Sequence, residues 1–126
     1  MASKTVLIVD DDPDSRNICV LFLQHHGYRV LEATDGEEGL RCAREERPDL
    51  VLMDVTLPRI DGWTATEQLK GAPETASIPV VILTGHALER DRERARASGG
   101  DAYLPKPCPP RRILEEVQRL IGAPAS

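Results

Sequence analysis

Two kinds of segment alternate along the chain. Short apolar runs rich in branched residues occupy 5–10 (TVLIVD), 29–33 (RVLEA), 50–54 (LVLMD), 79–84 (PVVILT) and 101–105 (DAYLP). Runs of this length with little polar alternation predict strands, the most apolar of them covered on both faces. Between them the spacing turns helical. Over 13–26, Ile18, Leu21 and Phe22 recur at i, i+3 and i+4 and predict an apolar helix face, with Gly27 where a helix stops. Over 110–121, Ile113, Leu114, Val117, Leu120 and Ile121 form a stripe, with Glu115, Glu116 and Arg119 elsewhere on the helix. Weaker helical stretches without internal proline span 35–46, 62–71 and 87–98.

Strand followed by helix, five times over, predicts an α/β fold: a doubly wound, five-stranded parallel sheet with helices on both faces. The first, third and fourth runs are the most uniformly apolar and belong at the centre. The second and fifth carry charge or proline, which suits sheet edges. At 126 residues the chain is expected to form one domain, with its core over about 4–122 and a short tail at 123–126.

Composition narrows the function. The formal net charge is -5 and no basic cluster stands out, which argues against direct binding of nucleic acid. No apolar run reaches the length of a bilayer span, and MASKTVLIVDDD turns acidic too early for a signal peptide. Cys19, Cys42 and Cys108 are an odd, scattered set without a CxxC pair, so they read as small packing residues in a reducing cytoplasm.

In an open α/β sheet, ligands bind outside the carboxyl ends of the strands. The residues ending the runs are Asp10, Asp11 and Asp12, then Asp54, Thr84 and, just past the fifth, Lys106. Asp12 precedes Pro13, which fits an N-cap with proline at the first helical position. Asp54 closes an otherwise apolar run, where a carboxylate serves either as a loop or cap residue or as a group kept for chemistry. Asp10, Asp11 and Asp54 crowded at one edge repel one another and require a cation. Mg²⁺ is the hard, oxygen-preferring choice. Lysines stand only at 4, 70 and 106 among sixteen basic residues, and only Lys106 follows a strand. It is either an ordinary surface lysine or a point charge for a phosphoryl oxygen. Thr84 is either a β-branched strand residue or a hydroxyl aimed at the same group. All four positions fall on one edge, which favours the chemical reading.

These segments resemble a known family. VLIVDD (6–11), LVLMDVTLPRIDGW (50–63), PVVILTGHA (79–87) and GGDAYLPKP (99–107) are similar to the receiver domains of bacterial two-component response regulators, from about residue 4 to 122. The resemblance implies the flavodoxin-like strand order 2-1-3-4-5 of a (βα)5 fold, and Asp54 as phospho-acceptor. It implies Mg²⁺ at Asp10, Asp11 and Asp54 with the backbone carbonyl of Thr56. Thr84 and Lys106 are implied to contact the phosphoryl group, with a cis Lys106–Pro107 bond and Tyr103 as the switch aromatic. Thr56 and His86 take the positions that tune dephosphorylation. The implied partners are a histidine kinase or histidine phosphotransfer protein and a downstream protein, reached through a surface built from 87–122. The protein is expected to catalyse only its own phosphorylation and dephosphorylation, as a monomer or weak dimer. His25 and His26 read as partners of a helix C-terminus, not relay sites.

Two other classes share parts of the pattern. Haloacid-dehalogenase-type phosphatases also use a strand-end aspartate, Mg²⁺, a threonine and a lysine, but they want a second acid where Thr56 stands. A flavodoxin-like nucleotide module wants amides facing a phosphate after the first strand, where DDDPD repels it. Within the receiver family, the start at MASKTV and the short GAPAS tail favour a stand-alone form over a piece of a hybrid kinase or larger regulator.

Overall fold

Residues 4–55, 60–84, 93 and 96–123 are described by a computed structural model. The strands are β1 (Thr5–Val9), β2 (Arg29–Ala33), β3 (Leu50–Asp54), β4 (Val80–Thr84) and β5 (Ala102–Pro105). The helices are α1 (Pro13–His25), α2 (Gly36–Glu46), α3 (Gly62–Gly71) and, near the C-terminus, α4 (Pro110–Ile121). The helix expected over 87–98 lies mostly outside the described residues, with helical backbone at 93, 96 and 97.

The strands form one parallel sheet in the order β2-β1-β3-β4-β5. The three central strands are buried at every position, as their apolar runs require, and Asp54 at the end of β3 is buried with them. Successive side chains point to opposite faces, so each strand feeds two cores. On one face Val6, Ile8, Leu50, Leu52, Val81 and Leu83 meet Val20 and Leu23 of α1 and Ile113 and Val117 of α4. On the other, Leu7, Val9, Val51, Met53, Val80 and Ile82 meet Leu40 of α2 and Leu69 of α3. Each fully buried Leu or Ile contributes about 1.5–3 kcal/mol. Burial on both faces also fixes register, since a one-residue slip would exchange the two cores.

The structure corrects one expectation. Ile18 and Leu21 do not face the core; they are 56% and 58% exposed. The buried stripe of α1 runs through Cys19, Val20 and Leu23 instead, with Phe22 partly buried at its margin. The N-cap sets the phase. Asp12 accepts from the Asp14 amide and Pro13 opens the helix, which places the stripe one step away from the larger apolar residues. Cys19 is a packing residue as expected, and burial pushes its thiol up to about 11, which keeps it protonated at neutral pH.

Candidate functional site

The acids gather where β1 and β3 end side by side. Val9 pairs with Met53, so the next residues, Asp10 and Asp54, emerge together at the carboxyl edge. Asp10, Asp11 and Asp54 each place a carboxylate oxygen within 4.8 Å of the others. Asp10 and Asp54 are both 2% exposed, while Asp11 faces solvent. Within the DDD run, Asp12 takes the capping role expected of it. Its amide donates to Asp10 Oδ1 at 2.9 Å, which turns that carboxylate inward.

Burying like charges together is costly without a cation. Lys106 supplies one, its Nζ donating to Asp54 Oδ2 at 2.7 Å. Burial of the amine pulls its pKa down, but the hydrogen bond and charge of Asp54, with the charges of Asp10 and Asp11, outweigh this and raise it. The lysine is therefore held charged against the acids. Its backbone is held too. The Lys106 amide donates to the Thr84 carbonyl at 2.7 Å, and the Lys106–Pro107 peptide is cis.

Thr84 ends β4, 4% exposed and in register with Pro105, so it stands between Asp54 and Lys106 along the edge. Tyr103 lies opposite Ile82 on β5, half-buried against the α2–α3 core. The structure thus brings Asp10, Asp11, Asp54, Thr84 and Lys106 to one edge and sets Tyr103 along the flanking strand. Thr56 and His86 lie outside the described residues.

Sequence reasoning missed two contributors. Gly62 follows Asp61, which caps α3 by accepting from the Thr64 amide at 2.8 Å. A Cβ on Gly62 would lie 2.2 Å from the Asp54 carbonyl oxygen, so only glycine lets α3 begin against the strand end. The DG dipeptide carried that signal. The second is Arg16 of α1. Its Nη1 donates to the Asp10 carbonyl at 2.8 Å and its Nε to Glu32 Oε1 at 3.0 Å. Its clue was spacing, since 16, 19, 20 and 23 form a single i, i+3, i+4, i+7 stripe.

An open cleft of about 430 Å³ flanks Lys106 on the α1–α4 side, lined by Ile18, Cys19, Leu83, Pro107 and Ile113. Among the described residues, no helix is long and apolar enough to cross a membrane.

This geometry agrees with the comparisons to known proteins. The chain matches the response regulator receiver domain family over residues 6–118. It is 38% identical over 117 residues to Protein PilH of Pseudomonas aeruginosa, covering 93% of this chain and 97% of PilH. It is 37% identical over 119 residues to the polar-differentiation response regulator DivK of Brucella anthropi, covering 94% and 97% of the two chains. Among solved structures it resembles the receiver domain of a Pseudomonas aeruginosa sensor histidine kinase that has a magnesium ion coordinated in its active-site cleft. That likeness has a TM-score of 0.88 at 34% identity and covers 97% of this chain and 100% of the other. The chain belongs to the response regulator receiver domain family of two-component signalling. Members act as phosphorylation-controlled switches, and the family match leaves the phosphatase and nucleotide-module readings without support.

Proposed function

We propose that Asp54 accepts a phosphoryl group from the phosphohistidine of a kinase or phosphotransfer protein, and that the new charge resets a protein-binding surface. The observation that carries this reading is a buried Asp54 set between two further acids and a lysine amine at 2.7 Å. A carboxylate so placed is a nucleophile with its charge-neutralising groups already in position.

The donor set fits Mg²⁺: three carboxylate oxygens within 4.8 Å of one another, with solvent-facing Asp11 leaving room for retained waters. The Thr56 carbonyl completes the proposed set. Bound there, the ion neutralises charge on the oxygens of an incoming phosphoryl group.

The remaining steps belong to the chain's own residues. An Asp54 oxygen attacks phosphorus in line, the P–N bond to the donor imidazole breaks, and the imidazole leaves with the electron pair. Lys106 already pairs with that carboxylate and follows the charge outward onto the phosphoryl oxygens. The Thr84 hydroxyl meets another oxygen, and its movement admits Tyr103 inward, biasing the surface over 87–122 between two packings. Attack of water on the acyl phosphate releases phosphate and restores Asp54. Thr56 and His86 tune that step. Exposed Ile18, which lines the Lys106 cleft, and exposed Leu21 on the same helix supply an apolar seat for the donor protein.

The test is uptake of labelled phosphate from a small acyl-phosphate donor with Mg²⁺. Uptake should approach one per chain and vanish in Asp54→Asn. Equal uptake by that variant would overturn the assignment.

A further inference from the structure

Arg16 is a charged side chain turned toward the core side of its helix, with only 17% of its side chain exposed. It touches none of the carboxylates at the site. Its guanidinium instead spans two elements, donating to the main-chain carbonyl of Asp10 after β1 and to Glu32 on β2. We infer that Arg16 is a positioning residue for the metal-binding acids, holding the Asp10–Asp11 turn in its ligating arrangement. The inference rests on the reading of Asp10, Asp11 and Asp54 as the Mg²⁺ site.

The turn has reason to move. Three successive carboxylates repel, and Asp11 and Asp12 are exposed, so nothing apolar anchors them. Asp10 is instead pinned at three points. Its amide donates to the Ala33 carbonyl at 3.1 Å, its Oδ1 accepts from the Asp12 amide at 2.9 Å, and its carbonyl accepts from Arg16 at 2.8 Å. The first two contacts are local to the sheet and the turn. The Asp12 contact reaches α1 only at its N-cap, whereas Arg16 adds a side-chain tie from within the helix, and Glu32 orients its fork. A guanidinium can make both bonds at fixed geometry where an ammonium cannot. Without it, the acid pair must be ordered when the ion binds, and that cost appears as weaker affinity.

Charge alone predicts the opposite sign. A cation beside three acids repels Mg²⁺, so its removal should strengthen binding if Arg16 acted only through its field. A purely structural role would lower stability and leave affinity unchanged. The direction of the change in Mg²⁺ affinity therefore separates positioning from both alternatives.

The experiment is calorimetric titration of the whole chain with Mg²⁺, for wild type, Arg16→Ala, Arg16→Lys and Glu32→Gln, with unfolding curves confirming that each is folded. Arg16→Ala should weaken Mg²⁺ binding about 10-fold, in the range found when a residue orienting metal ligands is removed. Arg16→Lys keeps the charge and loses the fork, so it should weaken binding as well. Glu32→Gln should give a smaller loss in the same direction, and it keeps the test available if Arg16→Ala does not fold. In phosphorylation from a small donor, the Mg²⁺ concentration for half-maximal rate should rise more than the maximal rate falls. Unchanged or tighter binding in folded Arg16→Ala and Arg16→Lys would overturn the inference. A wild type that binds no Mg²⁺ would overturn the metal reading itself, and this inference with it.

Discussion

Lys106 Nζ stands 2.7 Å from Asp54 Oδ2, joining the loop after β5 to the end of β3 across the intervening strand β4. The contact has a structural half and a chemical half. It compensates a carboxylate buried among acids, and it places a cation where negative charge would grow during phosphoryl transfer.

Lys106→Met should therefore lose both. Asp54 would be left buried beside Asp10 without its cation. We expect stability at neutral pH to fall by about 2 kcal/mol, below the cost of breaking a fully buried pair because Lys106 is 29% exposed. The pKa of Lys106 is raised on folding, so its contribution is present below the ordinary lysine value and lost as pH climbs through the raised one. The stability gap between variant and wild type should accordingly close in strongly alkaline buffer. Chemical unfolding across that range measures it, and phosphorylation should be nearly absent throughout.

Asp11→Asn separates binding from stability. Asp11 is exposed and adds a like charge to two buried acids. Removing it should abolish Mg²⁺ binding by calorimetry while leaving the metal-free protein as stable as wild type or more so. Clear destabilisation in metal-free buffer would count against a shared cation site.

Gly62 and Gly71 stand near opposite ends of α3 and should respond in opposite ways. A Cβ at 62 would meet the Asp54 carbonyl oxygen at 2.2 Å and Val55 Cα at 2.6 Å, both backbone, so the strand end must shift. Gly62→Ala should cost about 1–3 kcal/mol and slow phosphorylation by moving Asp54. At Gly71 an added Cβ meets nothing within 4 Å, so Gly71→Ala should be neutral or gain up to about 1 kcal/mol. Thermal unfolding and rates of phosphate uptake distinguish the two.

The sheet was legible because its central strands are almost wholly apolar, with Asp54 the one charged residue and at the end of its strand, and charge at Arg29 and Glu32 marked β2 as an edge. The acids and Lys106 were legible because they interrupt or follow apolar runs. The face of α1 was not. Its buried stripe begins with Arg16 and continues through the small Cys19, while the bulky Ile18 and Leu21 stand in solvent. Hydrophobic spacing gives weight to size, whereas the N-cap at Asp12 sets the phase. The role of Gly62 was hidden for a related reason. A glycine's use is the contact it permits, and that contact belongs to a strand end distant in sequence.

Tyr103 sits half-buried on β5, two positions before Pro105, the register partner of Thr84. With a beryllofluoride phosphoryl mimic, amide exchange should change most over 84–107. Tyr103→Ala should still take up phosphate while losing the response of a protein partner. Exchange changes limited to the turns beside Asp54 would place the output elsewhere.

The central claim is that one carboxylate carries the phosphoryl group, and peptide mapping of the labelled protein tests it most directly. After incubation with Mg²⁺ and a small acyl-phosphate donor, the label should be labile to hydroxylamine and alkali, as an acyl phosphate is. It should reside in the single peptide that contains Asp54. A stable label on serine, threonine or histidine, or an acyl phosphate on Asp10 or Asp11, would contradict the account.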